Sequence, residues 1–140
     1  MHMAKRSRTR AFTLIELIAV MVVLAILAGV AIPKMFDYSE QAKISAVKGT
    51  LGGVRSGVAN FRANAAVQGE AAYPTLQELE TLGEVMQEPI PENPFNNSAD
   101  VQAATWNEAN PPVSGNAGWN YDEAEGRFWA NSNEVGENEF

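Results

Sequence analysis

Apolar and polar positions change their pattern once along this chain, at Pro33. From Phe12 to Ile32 there are 21 residues, and Glu16 is the only charged one. As a helix rising about 1.5 Å per residue, such a run spans the roughly 30 Å hydrocarbon core of a bilayer. Beyond Pro33 the pattern becomes periodic: Ile44, Val47, Leu51, Val54, Val58 and Phe61 recur at steps of 3, 4, 3, 4 and 3, one face of an amphipathic helix. No breaker stronger than Pro33 interrupts the two, so the spacing predicts one helix from Phe12 to about Ala66, roughly 80 Å long. Its first half is apolar all round and suits an anchor; its second half suits the spine of a domain. Pro33 removes a backbone donor and is expected to bend the helix near the membrane boundary. Gly49, Gly52, Gly53 and Gly57 each cost about 1 kcal/mol relative to Ala in a helix. Close approach of a sheet accounts for them better than a compliant segment does. The stripe lasts barely three heptads, which disfavours a coiled coil.

Shorter signals follow. Thr75-Leu76-Gln77-Glu78 after Pro74 is a capping box, with Leu76, Leu79 and Leu82 as the apolar side of a second helix and Gly83 as its stop. The stretch Pro89 to Asn97, rich in Pro and Asn, reads as ordered turns. Gly118-Trp119-Asn120-Tyr121 and Arg127-Phe128-Trp129-Ala130 flank a turn that ends in Gly126, the strongest hairpin signal in the chain. Trp119 with Tyr121, and Phe128 with Ala130, share a face against the helix stripe, which leaves Trp129 facing outward or toward a neighbouring segment. These aromatics read as core rather than as a ligand platform. Trp106 lies near another strand in a stretch too polar to place. The expected fold is α+β, with the long helix packed on a small antiparallel sheet.

Charge and chemistry narrow the function. Lys5, Arg6, Arg8 and Arg10 precede the apolar run without an acid among them, favouring a cytoplasmic N-terminus and an exported remainder. Beyond that leader, six basic residues face seventeen acidic ones, a net −11 that argues against nucleic acid and anionic headgroups as partners. The chain has no Cys, and its one His, His2, lies in the leader. Ser-His-Asp and Cys-His catalysis and thiolate or imidazole metal sites are therefore excluded from the remainder. No Gly-rich phosphate loop follows a strand. An enzyme is not expected.

Glu16 is the group that demands explanation, because an unpaired charge in a membrane helix costs about 2.5–3.5 kcal/mol on insertion scales. A basic leader, a small residue, Phe12-Thr13-Leu14-Ile15-Glu16-Leu17 and an apolar helix together resemble the leader of type IV pilins and type II secretion pseudopilins. The resemblance implies a cut by a prepilin peptidase between Ala11 and Phe12 and N-methylation of Phe12. Where the family has Gly before the cut, this chain has Ala11, the next smallest residue. It also implies a partner for Glu16: the new amine of Phe12 on a neighbouring subunit, a pairing that sets the register between staggered helices. Pro33 falls where the family has its helix-bending proline. The partners implied are sister subunits, a platform membrane protein and an assembly ATPase at the cytoplasmic membrane. The absence of Cys and the layout around Tyr73-Pro74 bring the chain nearest to a major pseudopilin.

On this reading residues 1–11 are the leader, 12–32 the membrane and filament-core helix, 33–66 its amphipathic continuation, 67–131 a small α+β domain and 132–140 an acidic tail. Calcium, which major pseudopilins often hold near the C-terminus, has candidates in Asp122, Glu123 and Glu125 or in Glu134, Glu137 and Glu139. Neither set matches the family's loop, the terminal run reads as solvated, and no residue is assigned to a metal. Two rival readings of the N-terminus compete. Gly29-Val30-Ala31 can serve as the exit of an ordinary signal peptide, releasing a soluble binding domain at Ile32, or the helix can be a plain uncleaved anchor.

Overall fold

The computed structural model describes residues 12–140. Helix α1 runs from Leu14 to Val67, close to the span predicted, and stays helical through Pro33. Helix α2 covers Leu76–Glu80, the strands are β1 (Val101–Ala103), β2 (Trp119–Asp122) and β3 (Arg127–Ala130), and a 3-10 turn covers Glu137–Glu139. The chain divides into two compact units, one ending at Ser39 and the other Glu40–Phe140.

Within the first unit every described residue is exposed, including Leu14, Ile18, Val22, Leu24 and Ile26. Among the described residues nothing covers this apolar surface.

In the second unit the helical stripe does what its period predicts. Val47, Leu51, Val54 and Val58 are buried in one cluster with Trp119, Tyr121, Phe128 and Ala130. At about 1.5–3 kcal/mol for each large apolar side chain removed from water, this layer is the main stabilising term. Tyr121 pairs with Phe128 and Trp119 with Ala130, so all four share the helix-facing side of the sheet. Tyr121 also donates its hydroxyl to the Pro74 carbonyl at 2.7 Å, and Trp119 stacks on Phe128 with 5.4 Å between centroids. Trp129 takes the opposite face against a neighbouring segment: it meets Trp106 edge-on at 5.1 Å and donates to the Pro112 carbonyl. Asparagines clamp the turns to the sheet. Asn93 donates to Gly118 and Ser132, and Asn131 donates to Ala117 while accepting from Ser114.

Four expectations need correction. The sheet is mixed rather than antiparallel, because β1 pairs parallel to β2 with Val101 opposite Trp119. The link from Ala104 to Gly118 is long enough for the crossover that parallel strands require. The helix glycines are not cut for a sheet: a Cβ at Gly49, Gly52 or Gly53 would meet nothing within 4 Å. Only Gly57 is close-packed, and against Met86 and Val85. Helix α2 ends at Thr81 before reaching Leu82, which is 57% exposed. Finally, the terminal acidic run is not a solvated tail, since Glu137 and Asn138 are buried and Phe140 packs on the core.

Candidate processing and assembly site

The first turn of α1 is organised by Thr13 and Glu16. The Thr13 N–H and hydroxyl both donate to Glu16 Oε2, each at 2.8 Å, and the Glu16 N–H donates back to Thr13 Oγ1 at 3.3 Å. Thr13-Leu14-Ile15-Glu16 is therefore a capping box that satisfies otherwise orphaned N–H groups at the helix start. The sequence pattern Thr-x-x-Glu, the same as at Thr75–Glu78, announces this role, which the charge argument about Glu16 passed over. Its geometric consequence is that the carboxylate folds back toward Thr13 and the chain's N-terminal direction. A carboxylate offers about four acceptor sites, so the cap leaves capacity for a further cation. Phe12, directly before the cap, is 85% exposed. Ala11 lies outside the described residues. Pro33 sits inside α1, nearly five turns beyond Glu16 and with helix on both sides.

One helix among the described residues, α1, is long and apolar enough to cross a membrane. The prokaryotic N-terminal methylation motif matches residues 6–32, the segment that contains the capping box and most of the apolar run. The type II secretion system core protein G of Pseudomonas aeruginosa is 32% identical over 79 residues, covering 56% of this chain and 52% of that protein. The type IV narrow pilus major component of Thermus thermophilus is 42% identical over 52 residues, 37% of this chain and 45% of the relative. Motif and relatives together support the pilin and pseudopilin family.

The matched stretches span about half the length of these two curated relatives. No solved structure matches the chain. The family is one of structural subunits rather than enzymes, and the apolar helix with its motif suggests a single-pass, membrane-anchored protein. The pilin-like layout of a long helix on a small sheet agrees with it.

Three of the six acidic residues considered for calcium, Asp122, Glu123 and Glu137, accept hydrogen bonds from backbone N–H groups. Asp122 accepts from the N–H groups of Trp106, Ala124 and Glu125, and Glu123 accepts from Leu76. Burial alone would push the Asp122 carboxyl up, but those N–H groups outweigh it and hold it below the usual aspartate value. Glu137 accepts from Glu134 at 3.0 Å and Val135 at 2.8 Å. Here too burial opposes the charge and the N–H bonds prevail, leaving the carboxyl below its ordinary range. Among the described residues no three Asp, Glu, His or Cys side chains gather as a metal site. Among the described residues one buried side-chain oxygen, Asn138 Oδ1, is unpartnered.

Proposed function

We propose that this chain is a structural subunit of a type II secretion pseudopilus or a type IV pilus-like filament. A single observation carries the reading: a methylation motif leads into a helix whose apolar surface is wholly exposed and holds one carboxylate, Glu16, four residues after Phe12. Sister helices would cover that surface in a filament core, and lipid would cover it before assembly. A prepilin peptidase cuts between Ala11 and Phe12 and Phe12 is N-methylated, so that its new amine is positive. In the filament, Glu16 of one subunit neutralises the amine of the next and fixes their axial stagger, as buried polar pairs fix register elsewhere. The capping geometry supports this by aiming the carboxylate toward the N-terminus. Pro33 adjusts the helix at the membrane boundary. A platform membrane protein and an assembly ATPase extract the subunit from the cytoplasmic membrane, and the acidic domain lies on the exported side.

Mass spectrometry of the N-terminal peptide, on protein purified from its native membrane fraction, tests the reading. The expected species begins at methylated Phe12. A chain beginning at Ile32, or one retaining the basic leader in assembled material, overturns it, because the Phe12 amine that Glu16 needs would not exist.

A further inference from the structure

The Glu40–Phe140 unit is acidic, yet its few cations are not spread over it. It holds five basic residues, and three of them, Arg55, Arg62 and Arg127, line one cleft of ≈ 770 Å³ between the end of α1 and the β2–β3 turn. Its walls are apolar, with Ala59 and Ala63 on the helix and Trp106 opposite. The arginines rest on backbone oxygens, a tyrosine hydroxyl and aromatic rings. Arg55 donates to the carbonyls of Phe128 (3.0 Å) and Phe140 (2.6 Å), Arg62 lies over the Tyr73 ring, and Arg127 lies over Trp106. Burial and then the charge of Arg127 work against the Arg55 cation. Glu125 and Glu139 also line the cleft, but the one ion pair formed among the described residues, Arg127 to Glu125, is long at 4.0 Å and solvent-exposed. Such a pair contributes little.

The complement lies on the same chain. Between Arg62 and Arg127 there is no Lys or Arg, and eleven acids occupy that interval. Within it, the turn after α2 projects Leu82, the most exposed large apolar side chain beyond Val67, between the exposed Glu80 and Glu84. Gly83 forms the turn at φ 91, and its N–H donates to Met86. An apolar knob flanked by two carboxylates matches an apolar cleft flanked by guanidiniums. Leu82 is exposed in the monomer, so the turn does not fill the cleft of its own chain.

We propose that the arginine cleft receives the Glu80–Glu84 turn of a second copy, with Leu82 between the alanine walls and the glutamates on Arg62 and Arg127. A surface that binds a different surface of its copy is heterologous and propagates, as a filament requires. This inference rests on the filament reading and adds a contact between domains to the one between helices.

The chain has no Cys, so a designed pair is unambiguous. Filaments assembled from Ala63→Cys/Thr81→Cys protein are oxidised and run without reductant. A ladder of crosslinked subunits is expected, absent from either single variant. In parallel, Arg62→Glu/Arg127→Glu should lower filament yield at least about tenfold, and adding Glu80→Arg/Glu84→Arg should restore it, which excludes misfolding as the cause. Filaments whose two thiols stay free and uncrosslinked overturn the docking while leaving the filament reading intact, as does full assembly of the charge-reversed protein. If the unsubstituted chain makes no filaments, the filament reading falls and this contact falls with it.

Discussion

Replacing Glu137 should loosen the Glu40–Phe140 unit far more than removal of one charge from an acidic chain would suggest. The side chain is fully buried and its two oxygens accept from Glu134 and Val135 at 3.0 and 2.8 Å, which ties the segment before the 3-10 turn to the turn itself. Hydrogen bonds to a charged group are each worth about 1.5–3 kcal/mol, so two amount to roughly 3 kcal/mol at the low end. Relief of the buried charge in Glu137→Ala returns part of that, and water reaches some of the freed N–H groups because Glu134 and Val135 are exposed. A net loss of about 2 kcal/mol remains. In a unit of about 100 residues, 1 kcal/mol shifts Tm by about 4–8 °C, so the melt should fall by about 10 °C. Near-UV circular dichroism of the full chain in detergent reads this directly, since Trp119 and Trp129 are buried in the sheet. Acid separates the electrostatic part. The folded carboxyl sits below the ordinary value of 4.5, so its contribution is complete above pH 4.5 and is lost as pH falls through the folded value. Wild type and Glu137→Gln should therefore differ at neutral pH and converge in acid. A Glu137→Ala melt within about 2 °C of wild type at pH 7, or a gap to Glu137→Gln that persists in strong acid, would refute the reasoning.

Three further outcomes are expected. Gly52→Ala and Gly53→Ala should each raise stability by about 0.5–1 kcal/mol, because a Cβ there meets nothing and the helix loses a glycine; Gly57→Ala should not, as its Cβ would press on Met86 Sδ at 3.0 Å and the Val85 carbonyl at 3.2 Å. Thermal melts of the three variants decide it, and a lower Tm for Gly52→Ala sinks the argument. Gly118→Ala places a Cβ 1.8 Å from the Ser98 carbonyl oxygen, a backbone clash that should cost about 3 kcal/mol or more; a near-normal urea midpoint would count against the turn geometry. Glu16→Gln keeps an acceptor for the Thr13 cap but not the charge, so membrane insertion should survive while filament yield drops at least about tenfold; normal assembly would end the pairing model.

What could be read from the chain directly was whatever depends on neighbours in sequence. The stripe Val47, Leu51, Val54, Val58, the Thr75–Glu78 box and the Trp119–Ala130 hairpin are each specified within a few residues, and each stands where expected. The features that escaped are set by partners far along the chain. Strand β1 has three residues and takes its parallel direction from a long link, which no local period encodes. Glu137 looks like one more solvated acid until the N–H groups that trap it are folded around it. Gly49, Gly52 and Gly53 suggest close packing by their cost, yet nothing in the monomer approaches them.

The same division runs through function. The need of α1 for company is written in contiguous residues: an apolar helix with one carboxylate states its own incompleteness, and the monomer leaves it fully exposed. The arginine cleft is incomplete in a different sense. Arg55 and Arg62 are seven residues apart, two turns of one helix, but Arg127 joins them only when the β2–β3 turn closes over α1. Charge segregation then becomes visible, with cations gathered in a cleft and eleven acids in the interval between its second and third arginines. Both features, an apolar surface without cover and a cleft with three arginines to two glutamates, are of the kind that copies of the same chain can complete for one another. The helix deficit alone would be met equally well by lipid or by sister helices. The cleft lies in the Glu40–Phe140 unit, and it is this second feature that a repeating contact between those units would complete.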